Sequence, residues 1–127
     1  MNFLKRRKIL KQSNFLDLRP VRILLHESRE DGLINLMMPR FKNKYWSRMF
    51  QPRSRSEFII IKLDQSGSRT WMLIDGEISV LRICEKLMEQ YPDDFTQTEE
   101  TGKRVTKFLS MLYEQRYITF REIEHIA

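Results

Sequence analysis

The sequence predicts an α+β fold, with a small antiparallel sheet of about three strands packed on a bundle of three helices. Three observations carry this. Apolar residues recur at every second position in short runs between residues 21 and 63, the period of strands. After Leu63 they recur at i, i+3 and i+4, the period of helices. The chain has 127 residues, 41% hydrophobic and 31% charged, the size and composition of one folded domain with a single core.

The elements follow in order. Residues 1–20 read as a basic arm in which Lys5, Arg6, Arg7, Lys8 and Lys11 surround Phe3, Leu4, Ile9 and Leu10, and Pro20 closes it. A helix over 3–12 is too short to be stable alone in water. Residues 21–127 form the domain proper. "VRILLHE" at 21–27 alternates as a strand, with Val21, Ile23 and Leu25 on one face. Asp31-Gly32 is the strongest hairpin signal in the chain, so "LINLMM" at 33–38 returns as the second strand and Pro39 ends it. "FIIIKL" at 58–63 is the third strand. Ile59, Ile61 and Leu63 share one face, and Phe58, Ile60 and Lys62 the other.

Asp64 then caps a short helix anchored by Trp71, and Asp75-Gly76 breaks it. Ser79 caps a second helix whose apolar stripe is 80, 83, 84, 87, 88 and 91, stopped by Pro92-Asp93-Asp94. Thr96 with Glu99 fits a capping box for a third helix over about 98–116, with Val105, Phe108, Leu109 and Leu112 as its inner stripe. Residues 117–123 read as a last strand or an extended tail. In outline this order resembles a winged helix-turn-helix.

The net charge of +6 conceals a gradient. Residues 1–56 carry 14 Lys/Arg against 4 Asp/Glu, and residues 57–127 carry 9 against 13. Much of the positive charge lies in "RFKNKYWSRMFQPRSRS" at 40–56, a basic and aromatic insertion between the second and third strands. Such a surface attracts phosphates, anionic lipid or an acidic peptide. Tyr45, Trp46, Arg48 and Phe50 are its candidate partner-binding residues. No apolar run reaches the roughly 20 residues that a membrane-spanning helix needs, no secretory signal pattern is present, and the single Cys84 forms no internal disulfide. A cytoplasmic protein is expected.

Material for catalysis is scant. His26 and His125 stand far apart and away from other ligand-type residues at metal spacing. Cys84 sits on the apolar stripe of the second helix, the place of a structural cysteine. The four glycines form no phosphate-binding loop. The paired carboxylates, Asp93-Asp94 and Glu99-Glu100, fall at helix ends, where they complement the dipole or end the helix. The sequence therefore reads as a non-catalytic binding module, with no cofactor and no metal.

One stretch carries a family resemblance. "LDQSGSRTWMLIDGEISVLRIC" at 63–84 resembles the PqqD family of pyrroloquinoline quinone biosynthesis and related peptide-modifying systems. The matching positions are Leu63, Gly67, Trp71, Leu73-Ile74-Asp75-Gly76, Ser79-Val80 and Ile83. The third helix is similar to the family's ending at Phe108-Leu109, Leu112 and Ile118. The resemblance covers about 58–120, and more loosely the two strands from 21. Leu81-Arg82 stand where the family usually has acidic residues, and the 40–56 insertion lengthens a connection that is normally short.

The resemblance implies a peptide-binding chaperone, a RiPP recognition element. It would hold the leader segment of a ribosomally made precursor peptide by β-strand addition and present it to a radical-SAM or other maturase enzyme. The leader would lie beside the third strand and against the third helix. Phe58, Ile59, Ile60, Ile61 and Lys62 are then the strand contacts, and Lys103, Arg104, Lys107, Phe108 and Leu112 the helix contacts. About five added hydrogen bonds at roughly 0.5–1.5 kcal/mol each give a few kcal/mol. Micromolar binding needs about 8 kcal/mol, so apolar side chains must supply the difference. The alternative is a winged-helix nucleic-acid-binding protein. Against it, Glu99, Glu100 and Glu114 share the polar positions of the third helix, where a groove reader concentrates Lys, Arg, Asn and Gln. Nucleic acid is therefore not the expected partner.

Overall fold

The computed structural model describes residues 14–40 and 57–124. It is α+β, as expected, and divides into two compact units, 24–68 and 1–23 with 69–127. The basic segment 1–13 and the insertion residues 41–56, including Tyr45, Trp46, Arg48 and Phe50, lie outside the described residues.

In the unit 24–68, strands β2 (Leu25–Ser28), β3 (Ile34–Pro39) and β4 (Phe58–Lys62) form an antiparallel sheet in the order β2-β3-β4. The predicted hairpin forms at Asp31-Gly32. Gly32 takes φ +84, a region that favours glycine, and the Asp31 carboxylate accepts a hydrogen bond from Leu33 N at 2.9 Å. Arg29 N closes the turn by donating to Leu33 O at 2.7 Å. The Arg29 guanidinium then donates to Asn35 Oδ1 and to Leu63 O, both at 3.0 Å, tying the turn to the end of β4. Ile34 and Leu36 are buried. Helix α1 (Gln65–Met72) starts where Asp64 predicts, with its carboxylate accepting from Gly67 N at 2.7 Å. The boundary between the units falls within α1, after Ser68.

The other unit holds β1 (Pro20–Arg22), α2 (Val80–Gln90), α3 (Thr98–Glu114), β5 (Ile118–Phe120) and a final turn of helix, α4 (Arg121–Glu124). Its core is built on the predicted stripes, with Val80, Ile83, Cys84 and Leu87 of α2 buried alongside Val105, Leu109 and Leu112 of α3. Trp71 is wholly buried. Ser79 Oγ caps α2 through Arg82 N.

Two details differ from expectation, and one left open is decided. The single strand expected over 21–27 is two. β1 pairs with β5 in a separate two-stranded sheet, through Val21↔Thr119, while β2 pairs with β3 through His26↔Leu36. Alternation reveals that a segment is extended but not which strand it pairs with. β5, far along the chain, takes the first half of the segment. The capping box at Thr96 and Glu99 does not form. Gln97 is the N-cap of α3 and makes no side-chain cap bond. The tail at 117–123 is a strand followed by a helical turn.

Candidate functional site

The candidate site begins at β4, which has a strand neighbour on one side only among the described residues. Its sequence is Phe-Ile-Ile-Ile-Lys, three β-branched residues in a row, which favours extended backbone. Leu63 N donates to Ile34 O, and Arg40 N to Glu57 O. In an antiparallel ladder such inward-facing residues alternate with outward-facing ones. Ile59 and Ile61, opposite Met38 and Leu36, therefore direct their backbone groups at β3. Phe58, Ile60 and Lys62 direct theirs away from it. The outer edge thus presents an N–H and a C=O at each of three successive outward positions.

The side chains grade along and across the strand. Phe58 is buried, Ile60 and Ile61 are half-buried, and Ile59 is 39% exposed. Lys62 is exposed. Leu25, Met37 and Ile60 stand in register across the three strands and so share a face, with Leu25 67% exposed. The same face carries Glu27, Asn35 and Lys62 at its other end. There Asn35 is buried and donates to the Glu27 carboxylate at 3.3 Å.

The helix residues named from sequence all lie on α3, in the other unit. Lys103 is exposed and pairs with Glu99 at 3.4 Å. Arg104 is engaged within its own unit. It donates to Asp94 O at 2.8 Å, lies 3.6 Å from the Asp94 carboxylate and stacks 4.4 Å from the Phe95 ring. Lys107 is exposed and Phe108 half-buried. Leu112 is fully buried, so its side chain belongs to the core and offers no surface to a ligand. Sequence reading passed over Met111, which is 42% exposed beside Phe108 and Lys107 on the helix surface. Its signal was available, since it is an apolar residue outside the stripe 105, 109, 112.

The Asp75-Gly76 motif has a structural task. Partial burial alone would raise the Asp75 carboxyl, but hydrogen bonds from Glu77 N and Ile78 N outweigh it and hold the group below its ordinary range. Gly76 takes φ +81; its N–H donates to Pro20 O, and its carbonyl accepts from the Arg121 guanidinium. The Cys84 thiol is pushed up to about 11, chiefly by burial, so it stays protonated and inert at neutral pH. Among the described residues no group of three His, Cys, Asp or Glu is placed to hold a metal, and no helix is long and apolar enough to cross a membrane.

A family model described as coenzyme PQQ synthesis protein D (PqqD) matches residues 49–118. The chain belongs to the PqqD family. The match takes in β4, all three long helices and the first residue of β5, and leaves out β2 and β3. PqqD proteins are accessory, non-catalytic participants in biosynthesis, which implies a biosynthetic enzyme and a peptide as partners. No curated protein and no solved structure matches the chain.

Proposed function

We propose that this PqqD protein binds the leader of a ribosomally made precursor peptide as an added strand on β4 and presents it to a maturase, a radical-SAM enzyme or another modifying enzyme. The observation that carries the reading is the outer edge of β4. Phe58, Ile60 and Lys62 direct three donors and three acceptors away from β3, on the one strand of the sheet that lies within the family match. An extended peptide satisfies such groups without regard to its sequence. At roughly 0.5–1.5 kcal/mol net per bond the pairing alone falls short of, or barely reaches, micromolar binding. The exposed Ile59 and half-buried Ile60 and Ile61 supply apolar contact to either face of the added strand. On α3, Lys103, Lys107, Phe108 and Met111 form a separate exposed strip, which we assign to contacts with peptide or enzyme. The nucleic-acid alternative draws no support. Lys103 and Arg104 are already paired with carboxylates, so α3 does not present the free cationic face that phosphates require.

Ile60→Pro tests the reading. Proline on an edge strand is tolerated where the N–H faces away from the ladder. The substitution deletes the central donor to the peptide, and the β3 ladder bonds of Ile59 and Ile61 remain. With the leader of a short precursor encoded beside the gene as titrant, binding should weaken by about tenfold or more, while circular dichroism stays that of the wild type. Unchanged affinity in a folded Ile60→Pro protein refutes strand addition at this edge. If Ile60→Pro does not fold, Ile60→Asp is the second variant. It keeps the donor but sets a charge against the apolar peptide, so binding should weaken, and unchanged affinity would refute a peptide packed beside Ile60.

A further inference from the structure

We infer that Lys62 selects an acidic side chain in the peptide that β4 takes up. The inference rests on the strand addition just proposed and specifies its substrate class. Residues directly opposite one another in a β-ladder lie on the same face, close enough for their side chains to interact. A strand added beside β4 therefore sets one residue against Phe58, one against Ile60 and one against Lys62, with the residues between them on the Ile59 and Ile61 face. Four of the five positions of β4 are apolar and one is cationic. The matching ligand is a short apolar segment that carries Asp or Glu at one end.

The chemistry around Lys62 favours that choice. The side chain is exposed, and among the described residues it makes no ion pair. Its cross-strand neighbour in the sheet is Asn35, a neutral side chain engaged by Arg29 and by Glu27. The other cation at this end of the sheet, Arg29, is occupied by Asp31, Asn35 and the Leu63 carbonyl. Among the described residues Lys62 is thus the cation left at the outer edge of β4, and a carboxylate on the incoming strand is its natural complement. Its position also encodes direction. In antiparallel addition the acidic residue opens the segment, and in parallel addition it closes it.

The test uses a matched set of labelled synthetic peptides with one β-branched apolar segment. Glu stands at the first or the last position, and the counterparts carry Lys there. Anisotropy is read against the full chain at low and high salt. For one of the two end positions, the Glu peptide should bind the wild type about three- to tenfold more tightly than its Lys counterpart at low salt, with the gap narrowing at high salt. Lys62→Glu should reverse the order, and Lys62→Gln should erase it. If all peptides bind wild type and Lys62→Glu with the same ranking, strand addition stands and the role of Lys62 is overturned. If none of the peptides saturates the wild type, strand addition itself fails and the inference fails with it.

Discussion

Gly76 shows how a single position can be held from two directions. Its φ of +81 disfavours any side chain, and a Cβ placed there would meet Arg121 Nη2 at 2.6 Å. Gly32, at φ +84, has nothing within 4 Å of the same added atom. The two glycines separate the backbone cost from the packing cost. Gly32→Ala should lower stability by about 1 kcal/mol, the conformational penalty alone. Gly76→Ala should cost distinctly more, about 2 kcal/mol, because Arg121 must also leave the Gly76 carbonyl. Urea unfolding of both variants measures the difference. Equal losses would mean that the Arg121 contact contributes nothing. Local pattern marked Asp75-Gly76 only as a break after a helix, and the family resemblance added no task for it. The arginine that fills the space above Gly76 comes from the far end of the chain, so no local pattern could reveal it.

At the scale of elements, the corner between α2 and α3 is fastened by one acid and two arginines. Arg69 stacks 4.0 Å from the Tyr91 ring and Arg104 4.4 Å from Phe95. The Asp94 carboxylate stands 3.6 Å from each guanidinium. Asp94 and both arginines are partly exposed, so each ion pair alone is weak, but the shared carboxylate makes them a network with stacked partners. Asp94→Ala should cost about 1 kcal/mol in thermal or urea unfolding. Asp93→Ala, at an exposed neighbour, should cost almost nothing. Equal effects would refute the network. The helices themselves were legible because their apolar stripes and the caps at Asp64 and Ser79 are local features. The corner was not, because Pro92-Asp93-Asp94 reads as a stop signal whichever way its carboxylates turn. The strand over 21–27 was misjudged as one element for the related reason that pairing is decided by residues distant in sequence.

For the whole molecule, three carboxyls among the described residues are depressed. Asp31 is exposed and held down by the Leu33 N–H, and the partly buried Asp75 and Glu122 set most of the response to acid. Glu122 is raised by partial burial, but hydrogen bonds from Arg19 N at 2.8 Å and Arg19 Nε at 2.7 Å outweigh this and bring it below its ordinary 4.5. Asp75 likewise lies below its ordinary 3.8. A group whose folded value is depressed stabilises fully above its unfolded value and loses that contribution as pH falls through the folded one. Stability should therefore hold from neutral pH to about 5 and decline below about 4.5. Glu122→Gln and Asp75→Asn should flatten that decline. An acid limb as steep in the double variant as in the wild type would contradict the assignment. The candidate site was legible to a similar degree. The run at 58–62 announced an apolar strand, and among the described residues the strand lies at the rim of its sheet. The burial of Leu112 and the engagement of Arg104 were hidden, since a stripe on a helix does not say how far its flank is covered. The charge gradient pointed to the arm 1–20 and the insertion 40–56, of which residues 1–13 and 41–56 lie outside the described structure.

Whether β4 keeps an edge available for a foreign strand is read residue by residue by amide hydrogen exchange. In the free protein, the amides of Ile59 and Ile61, bonded to β3, should exchange slowly, and those of Ile60 and Lys62 quickly. Addition of a leader peptide should slow Ile60 and Lys62 and leave Ile59 and Ile61 nearly unchanged. Uniform protection along 58–62 before any peptide is added would show the edge already occupied and would contradict the account.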